Sequence, residues 1–217
     1  MKLLAATRSA GKQREIRRII EPLGVSVVFP DDLGLAESPA EDGLETEETF
    51  EGNAARKAAY FARLSGLPTV ADDSGLEVTA LGGAPGVRSR RWAGATGSAD
   101  EVDAANNAEL LRRLAGVAER ERGARYRCAL AFMPAADAPP VIFEGMCTGT
   151  ILSTPRGSGG FGYDPFFLSD DLGIAFGEAP AEAKDAVSHR GRALRAFADA
   201  LRGMLPASPG GATVRAE

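Results

Sequence analysis

Two hydrophobic periods divide the chain. Short apolar runs of strand type alternate with stretches whose apolar residues recur every three or four positions, the spacing of a helix face. Lys2 to Ala6 reads as a first strand, and from Gln13 the spacing of Ile16, Ile19, Ile20 and Leu23 is helical. Pro22 and Gly24 close that helix before a second strand from Val25 to Phe29. Thr49 to Leu64 places Phe50, Ala54, Ala58, Phe61 and Ala62 on one stripe, with Gly66 just past the end. Thr69-Val70-Ala71 predicts a buried strand that stops at Asp72-Asp73-Ser74-Gly75, four residues that favour turns. Ser98-Ala99-Asp100-Glu101 is a capping box opening a scaffold helix through Val102, Ala105, Leu110, Leu111 and Leu114, closed near Gly116. Arg125 to Met133 alternates as a strand, and a Pro-rich turn at 134–140 leads to a second strand at Val141 to Gly145, a hairpin. Pro180 to Val187 predicts a short helix. Ser188 caps a longer one that buries Leu194, Phe197, Ala198, Leu201 and Met204. Residues 207–217 read as a disordered tail.

Composition narrows the function classes. A chain of 217 residues is long enough for one well-buried domain, or one domain with two lobes. The net charge of −5 argues against a broad nucleic-acid or membrane surface, while leaving room for a local cationic pocket. Cys128 and Cys147 make no disulfide framework in a chain this size, which points to a reducing compartment. The Leu3–Ala6 run is too short for a signal-peptide core, and no apolar segment approaches the ~20 residues of a membrane span. A soluble, cytoplasmic protein is expected.

The candidate chemistry lies in the punctuation between elements. Thr7-Arg8-Ser9-Ala10-Gly11-Lys12 joins strand to helix, where free N–H groups, the positive helix end and Lys12 favour an anion. It is not a Walker A loop, because Ala6 and Gln13 stand where that loop needs Gly and Ser or Thr. From Asp31 to Glu48 the chain is acidic and irregular, with Glu45 and Glu48 placed to suit the dipole of the following helix. Asn53 and Lys57 share one face of that helix. Gly157, Gly159 and Gly162 spell a dinucleotide-binding pattern, but Pro165 follows where a helix should begin, so what remains is a glycine-rich loop carrying Phe161, Tyr163 and Asp164. His189 is the only histidine, so a two-histidine metal site is excluded. Lys12, Lys57, Lys184 and Arg190 can supply cations for a polyphosphate, and Glu45 and Asp73 hard oxygens for magnesium. Phe161 can stack on a base. A nucleoside triphosphate with Mg2+ satisfies all of these.

The same residues carry a resemblance to a known family. LLAATRSAGKQREI, TFEGNAARKA, LPTVADDSGLEVTALGGAPGVRSRRWAG, FEGMCTGTIL with PRGSGGFGYDPFF, and KDAVSHRGRALR occur here in the order of the Ham1-like inosine/xanthosine triphosphate pyrophosphatases. The chain resembles that family over nearly its whole length, apart from the acidic insertion before Thr49 and the tail. The resemblance implies an α/β fold, an elongated mixed central sheet with flanking helices, in one two-lobed domain over residues 1–206 around a nucleotide cleft. It implies that Thr7, Arg8, Ser9, Ala10, Gly11 and Lys12 bind the triphosphate, with Lys57 adding a cation. Asp73 would be magnesium ligand and general base, Ser74 a substrate contact, and Glu45 a second acidic ligand, with Glu48 the fallback. Phe161, Gly162, Tyr163, Asp164 and Lys184 would hold substrate, with His189 and Arg190 at the base. A homodimer and hydrolysis of dITP, ITP or XTP to monophosphate and pyrophosphate are implied. The sequence departs from the family pattern at Arg8, where a small residue is usual, at Ser9, where Asn is usual, and at Arg90-Arg91-Trp92. A non-hydrolysing nucleotide sensor and a Maf-type pyrophosphatase with another base preference are the competing readings.

Overall fold

The computed structural model describes residues 1–204. In chain order the regular elements are β1 (Lys2–Ala5), α1 (Ala10–Ile20), β2 (Ser26–Val28), α2 (Phe50–Ser65), β3 (Thr69–Val78), α3 (Ala99–Arg113), β4 (Gly123–Met133), β5 (Val141–Ile151), β6 (Phe167–Ser169), α4 (Ala181–Val187) and α5 (His189–Met204). One six-stranded sheet runs β2-β1-β3-β4-β5-β6. β1 is parallel to both β2 and β3, and every later pairing is antiparallel, so the sheet is mixed, as expected. No helix among the described residues is long and apolar enough to cross a membrane. The tail expected at 207–217 lies outside the described residues.

Three expectations about element boundaries are corrected. α1 begins at Ala10, before Gln13, so Gly11 and Lys12 belong to its first turn. β5 continues to Ile151, because its register with β4 holds from Phe132↔Val141 to Gly123↔Thr150. The largest correction concerns β3, which does not stop at Asp72. It pairs residue by residue with β4 from Thr69↔Met133 to Val78↔Ala124, carrying both acids through the middle of the sheet. Pairing overrides the turn preference of Asp-Asp-Ser-Gly. Gly75 is needed in that strand for another reason: a Cβ there would run into the Gly86 carbonyl oxygen, and come within 2.5 Å of Ser89 Oγ.

Apolar contacts gather in three clusters along this sheet. Leu3, Ala5, Val70 and Leu130 pack on one face against Ile16 of α1 and Leu194 and Phe197 of α5. Leu4, Ala6, Ala71 and Ala129 pack on the opposite face against Phe50, Ala54 and Phe61 of α2. Farther along the same strands, Leu76, Val78 and Tyr126 join Leu110 and Leu114 of α3 with Tyr163, Phe167 and Phe176. Asp72 and Asp73 follow Val70 and Ala71 and precede Leu76, so they stand where the three clusters meet.

Candidate active site

The start of α1 is a helix end left open. Ser9 stands at the N-cap position but makes no side-chain cap, and the first turn holds no acid. Thr7 Oγ1 instead accepts from the Ser9 amide at 3.2 Å, and Gln13 donates to the Thr7 carbonyl at 3.2 Å. The loop is braced from within while the first helical N–H groups keep the partial positive charge of an uncapped end. Ser9 and Ala10 are exposed, whereas Gly11 is buried under the Phe161 ring, which a Cβ on Gly11 would approach to 2.5 Å. Lys12 reaches Asp72 at 3.0 Å. Arg8 turns away from its neighbours. Its guanidinium forks onto Glu41 at 3.0 and 2.9 Å, donates to the Leu35 carbonyl at 2.9 Å and pairs with Asp31.

The two acids of β3 point to opposite faces, as alternation along a strand requires. Asp73 lies on the α2 face, 6% exposed, where Asn53 Nδ2 donates to Oδ2 at 2.8 Å and the Ser74 amide donates to Oδ1 at 2.9 Å. Burial raises its carboxyl above the ordinary aspartate value; Lys57 opposes the rise and Glu45 adds to it. Glu45 is not in the first turn of α2, since Thr49 is the N-cap. It pairs with Lys57, and Arg91 donates to its backbone carbonyl at 2.6 Å. Burial pushes Glu45 up, but Lys57 and Lys12 outweigh it and hold the carboxyl low. Glu48 is exposed. Most acids of the stretch are exposed, and only Glu41 and Glu45 are drawn partly inward.

On the other face Asp72, 3% exposed, binds Lys12 and Arg190, each at 3.0 Å. These cations overcome its burial and keep it ionised far below the usual carboxylate range. Arg190 is spoken for three times: Nε to Asp72, Nη1 to Glu15 at 2.6 Å and Nη2 to Ser74 Oγ at 2.6 Å. Lys184 joins the network through Glu15 at 3.0 Å and Asp164 at 2.5 Å. The Phe161 ring lies over both cations, 4.8 Å from Lys184 Nζ and 5.6 Å from the Arg190 guanidinium carbon. His189 stacks on Tyr126 with centroids 4.5 Å apart. Burial, reinforced by Arg190, drives its pKa well down, so the ring is neutral, and its Nδ1 is buried without a partner among the described residues.

The glycine-rich loop is held from below. Gly162 donates its amide to Asp103 at 2.7 Å and accepts from Asn107 at 2.9 Å, both on α3. Tyr163 donates to the Ser89 carbonyl at 2.8 Å, and Asp164 accepts from the Phe161 amide at 2.9 Å. Gly160 has φ 76°, and a Cβ there would collide with the Asp164 carboxylate, so only glycine serves. Tyr163 and Asp164 are buried braces, and Phe161 is the aromatic side chain they support.

Thr7, Ser9 to Lys12, Lys57, Asp73, Ser74, Phe161, Lys184, His189 and Arg190 therefore converge around the middle of β3, with Glu45 against Lys57. Sequence reasoning missed Glu15, Asn53, Asp103 and Asn107 as members, and Asp72 as the hub. Glu15 did leave a signal: a carboxylate beside Ile16 and four residues after Gly11, on the helix face that is buried. Burial opposes its ionisation, yet Arg190 and Lys184 bring its pKa down to about 2 from 4.5. A depressed carboxylate stabilises the fold above its unfolded pKa, and that stability is lost as pH falls through the folded value. The melting-temperature gap between wild type and Glu15→Gln is thus full above about pH 5 and shrinks toward pH 2. A gap independent of pH would show that Glu15 is not ionised in this network.

A model of the Ham1 family matches residues 3–200. The chain is 48% identical over 192 residues to a dITP/XTP pyrophosphatase of Syntrophobacter fumaroxidans, covering 88% of this chain and 78% of that protein. It is 46% identical over 202 residues to the dITP/XTP pyrophosphatase of Yersinia pseudotuberculosis, covering 93% and 98%. The fold is similar to a HAM1 protein structure from Coxiella burnetii, with a TM-score of 0.80, 33% identity, and coverage of 94% and 99% of the two chains.

Proposed function

The chain belongs to the Ham1 family, and from that premise we propose that it hydrolyses the deaminated purine triphosphates dITP, ITP and XTP, with Mg2+, to monophosphate and pyrophosphate. The observation that carries this reading is the juxtaposition of an uncapped, cationic α1 end with a buried carboxyl whose proton affinity is raised. The first is a receptor for a triphosphate, the second a base for water.

Whether the residues suit magnesium depends on the donors. Among the described residues no group of three or more His, Cys, Asp or Glu could hold a metal. Asp73 and Glu45 form a pair instead, two hard carboxylates close enough for Glu45 to raise the Asp73 pKa. A pair of carboxylates plus phosphate oxygens is the donor set that magnesium takes in such sites, and a cation relieves their repulsion, so they fit. Asp73 and Glu45 would hold the ion, which when bound neutralises and orients the triphosphate.

The remaining work falls to side chains and backbone. The α1 end, Lys12 and Lys57 receive the phosphates, displacing the Asp72 and Glu45 contacts that these lysines make without substrate. Asn53 and the Ser74 amide fix the Asp73 carboxylate, which accepts a proton from the water that cleaves the bond between the α- and β-phosphates. Phe161 stacks on the base. Arg190 has two N–H donors beyond its three protein contacts, and an arginine only donates. An acceptor at C6, as in hypoxanthine and xanthine, satisfies such donors, whereas the amino group of adenine leaves them unpaired. His189 Nδ1 offers a further unsatisfied polar atom. Two free buried cysteines accord with a cytoplasmic setting, and the homodimer implied by the family likeness is part of this reading.

A panel of ITP, dITP, XTP, ATP, GTP, CTP and UTP with Mg2+ tests it. The deaminated purines should exceed ATP in kcat/KM by at least about 100-fold, the scale of unpaired buried donors. Binding without turnover would make the protein a sensor, and preference for another base a Maf-type enzyme.

A further inference from the structure

We infer that Arg8 is a positioning residue which does not hold the triphosphate but ties the segment bearing Glu45 to the loop that opens α1. The inference rests on the reading of Asp73 and Glu45 as the metal pair. Four of the five N–H donors of Arg8 are directed at protein acceptors: both oxygens of Glu41, the Leu35 carbonyl and Asp31. A planar fork on a carboxylate is the strong form of such a pair, and both side chains are mostly shielded, at 21% and 16% exposed. One N–H is left over, so a phosphate could gain more than a single contact only by displacing a protein acceptor.

Glu41 is rigid in its own right. Its Oε1 also accepts from the Ser38 amide at 3.2 Å, closing a capping box on the turn Pro39–Gly43. That turn leads directly to Leu44, which is buried in the α2 cluster, and then to Glu45. The segment from Asp31 to Glu45 contains no strand or α-helix, only short turns, so few backbone bonds hold it to the sheet. Arg8 joins it to Thr7 and Ser9, the residues that shape the anion loop. The anion half and the metal half of the site are in this way built on one clasp. Losing the clasp should loosen Glu45 while leaving the α1 end and Lys12 in place.

The test uses the full chain as wild type, Arg8→Ala, Arg8→Lys, Glu41→Gln and the Arg8→Ala/Glu41→Gln double variant. Mn2+ binding is titrated by electron paramagnetic resonance with an α,β-methylene analogue of ITP present, and hydrogen exchange is followed over residues 31–48. Arg8→Ala and Glu41→Gln should each weaken Mn2+ about tenfold, the lower end of what loss of an outer support costs. The double variant should be no worse than either single one, because both remove one clasp. Exchange over 35–45 should quicken, and KM for ITP at saturating Mg2+ should move by less than about threefold, since a uniform phosphate contact is not lost. Arg8→Lys keeps the charge without the fork and should fall between, which preserves the test if Arg8→Ala folds poorly. A KM at saturating Mg2+ raised tenfold by Arg8→Ala, with Mn2+ affinity unmoved, would make Arg8 a phosphate ligand and overturn the inference. Equal Mn2+ affinity in wild type and all variants would also overturn it. A wild type that binds no Mn2+ would remove the metal pair itself, and the inference with it.

Discussion

Asp73→Asn lowers turnover at least about 100-fold while the protein stays folded, the loss that removal of a general base brings. The substitution keeps the shape of a buried side chain. An amide oxygen can still accept from Asn53 Nδ2, and only the bond from the Ser74 amide is forfeited. That costs about 1–3 kcal/mol for one unmet buried group, too little to unfold a domain of ordinary stability. The chemical consequence is far larger, because an amide does not take up the proton of water. Burial raises the Asp73 carboxyl in the metal-free protein, and a bound cation would lower it again, so the acid limb of the pH–rate profile should move to lower pH as Mg2+ is increased. A folded Asp73→Asn protein of near wild-type turnover would place the base elsewhere.

Its neighbour should fail in a different way. Asp72→Ala removes the shared partner of Lys12 and Arg190 and leaves two cations facing an apolar gap between β3 and α5. Breaking a buried ion pair costs about 3–5 kcal/mol. For a chain of this size each kcal/mol is worth roughly 2–4 °C, so melting should drop by about 6–20 °C. Thermal unfolding by circular dichroism reads this directly, and a shift under about 2 °C would mean that the pairing contributes no net stability. Adjacent residues of one strand thus separate chemistry from support: Asp73 shows in turnover, Asp72 in melting.

How much of this was legible in the sequence depended on whether a signal was local. The helical stripes of α2 and of α5 as far as Leu201, and the β4–β5 hairpin, could be read from periodicity, because each element presents one face to its own cluster. Met204, expected on the α5 stripe, is exposed beyond it. Asp72 to Gly75 misled, because turn preference is a local property. The strand continues through them on the strength of β4 and of cations from α1 and α5, distant in sequence. The ligand-facing residues were found as motifs, whereas their supports were not. Glu15, Asn53, Asp103 and Asn107 each sit inside an ordinary helix, and only the tertiary arrangement shows what they hold. Arg8 and the acidic segment are two places where the sequence departs from the family pattern, and in the structure they are each other's partners.

The most direct test of the proposed reaction is the identity of the products. The full chain is incubated with Mg2+ and ITP, and products are separated before and after addition of an inorganic pyrophosphatase. Cleavage between the α- and β-phosphates predicts IMP and pyrophosphate, with free phosphate appearing only after that addition. Direct release of phosphate together with IDP would contradict it.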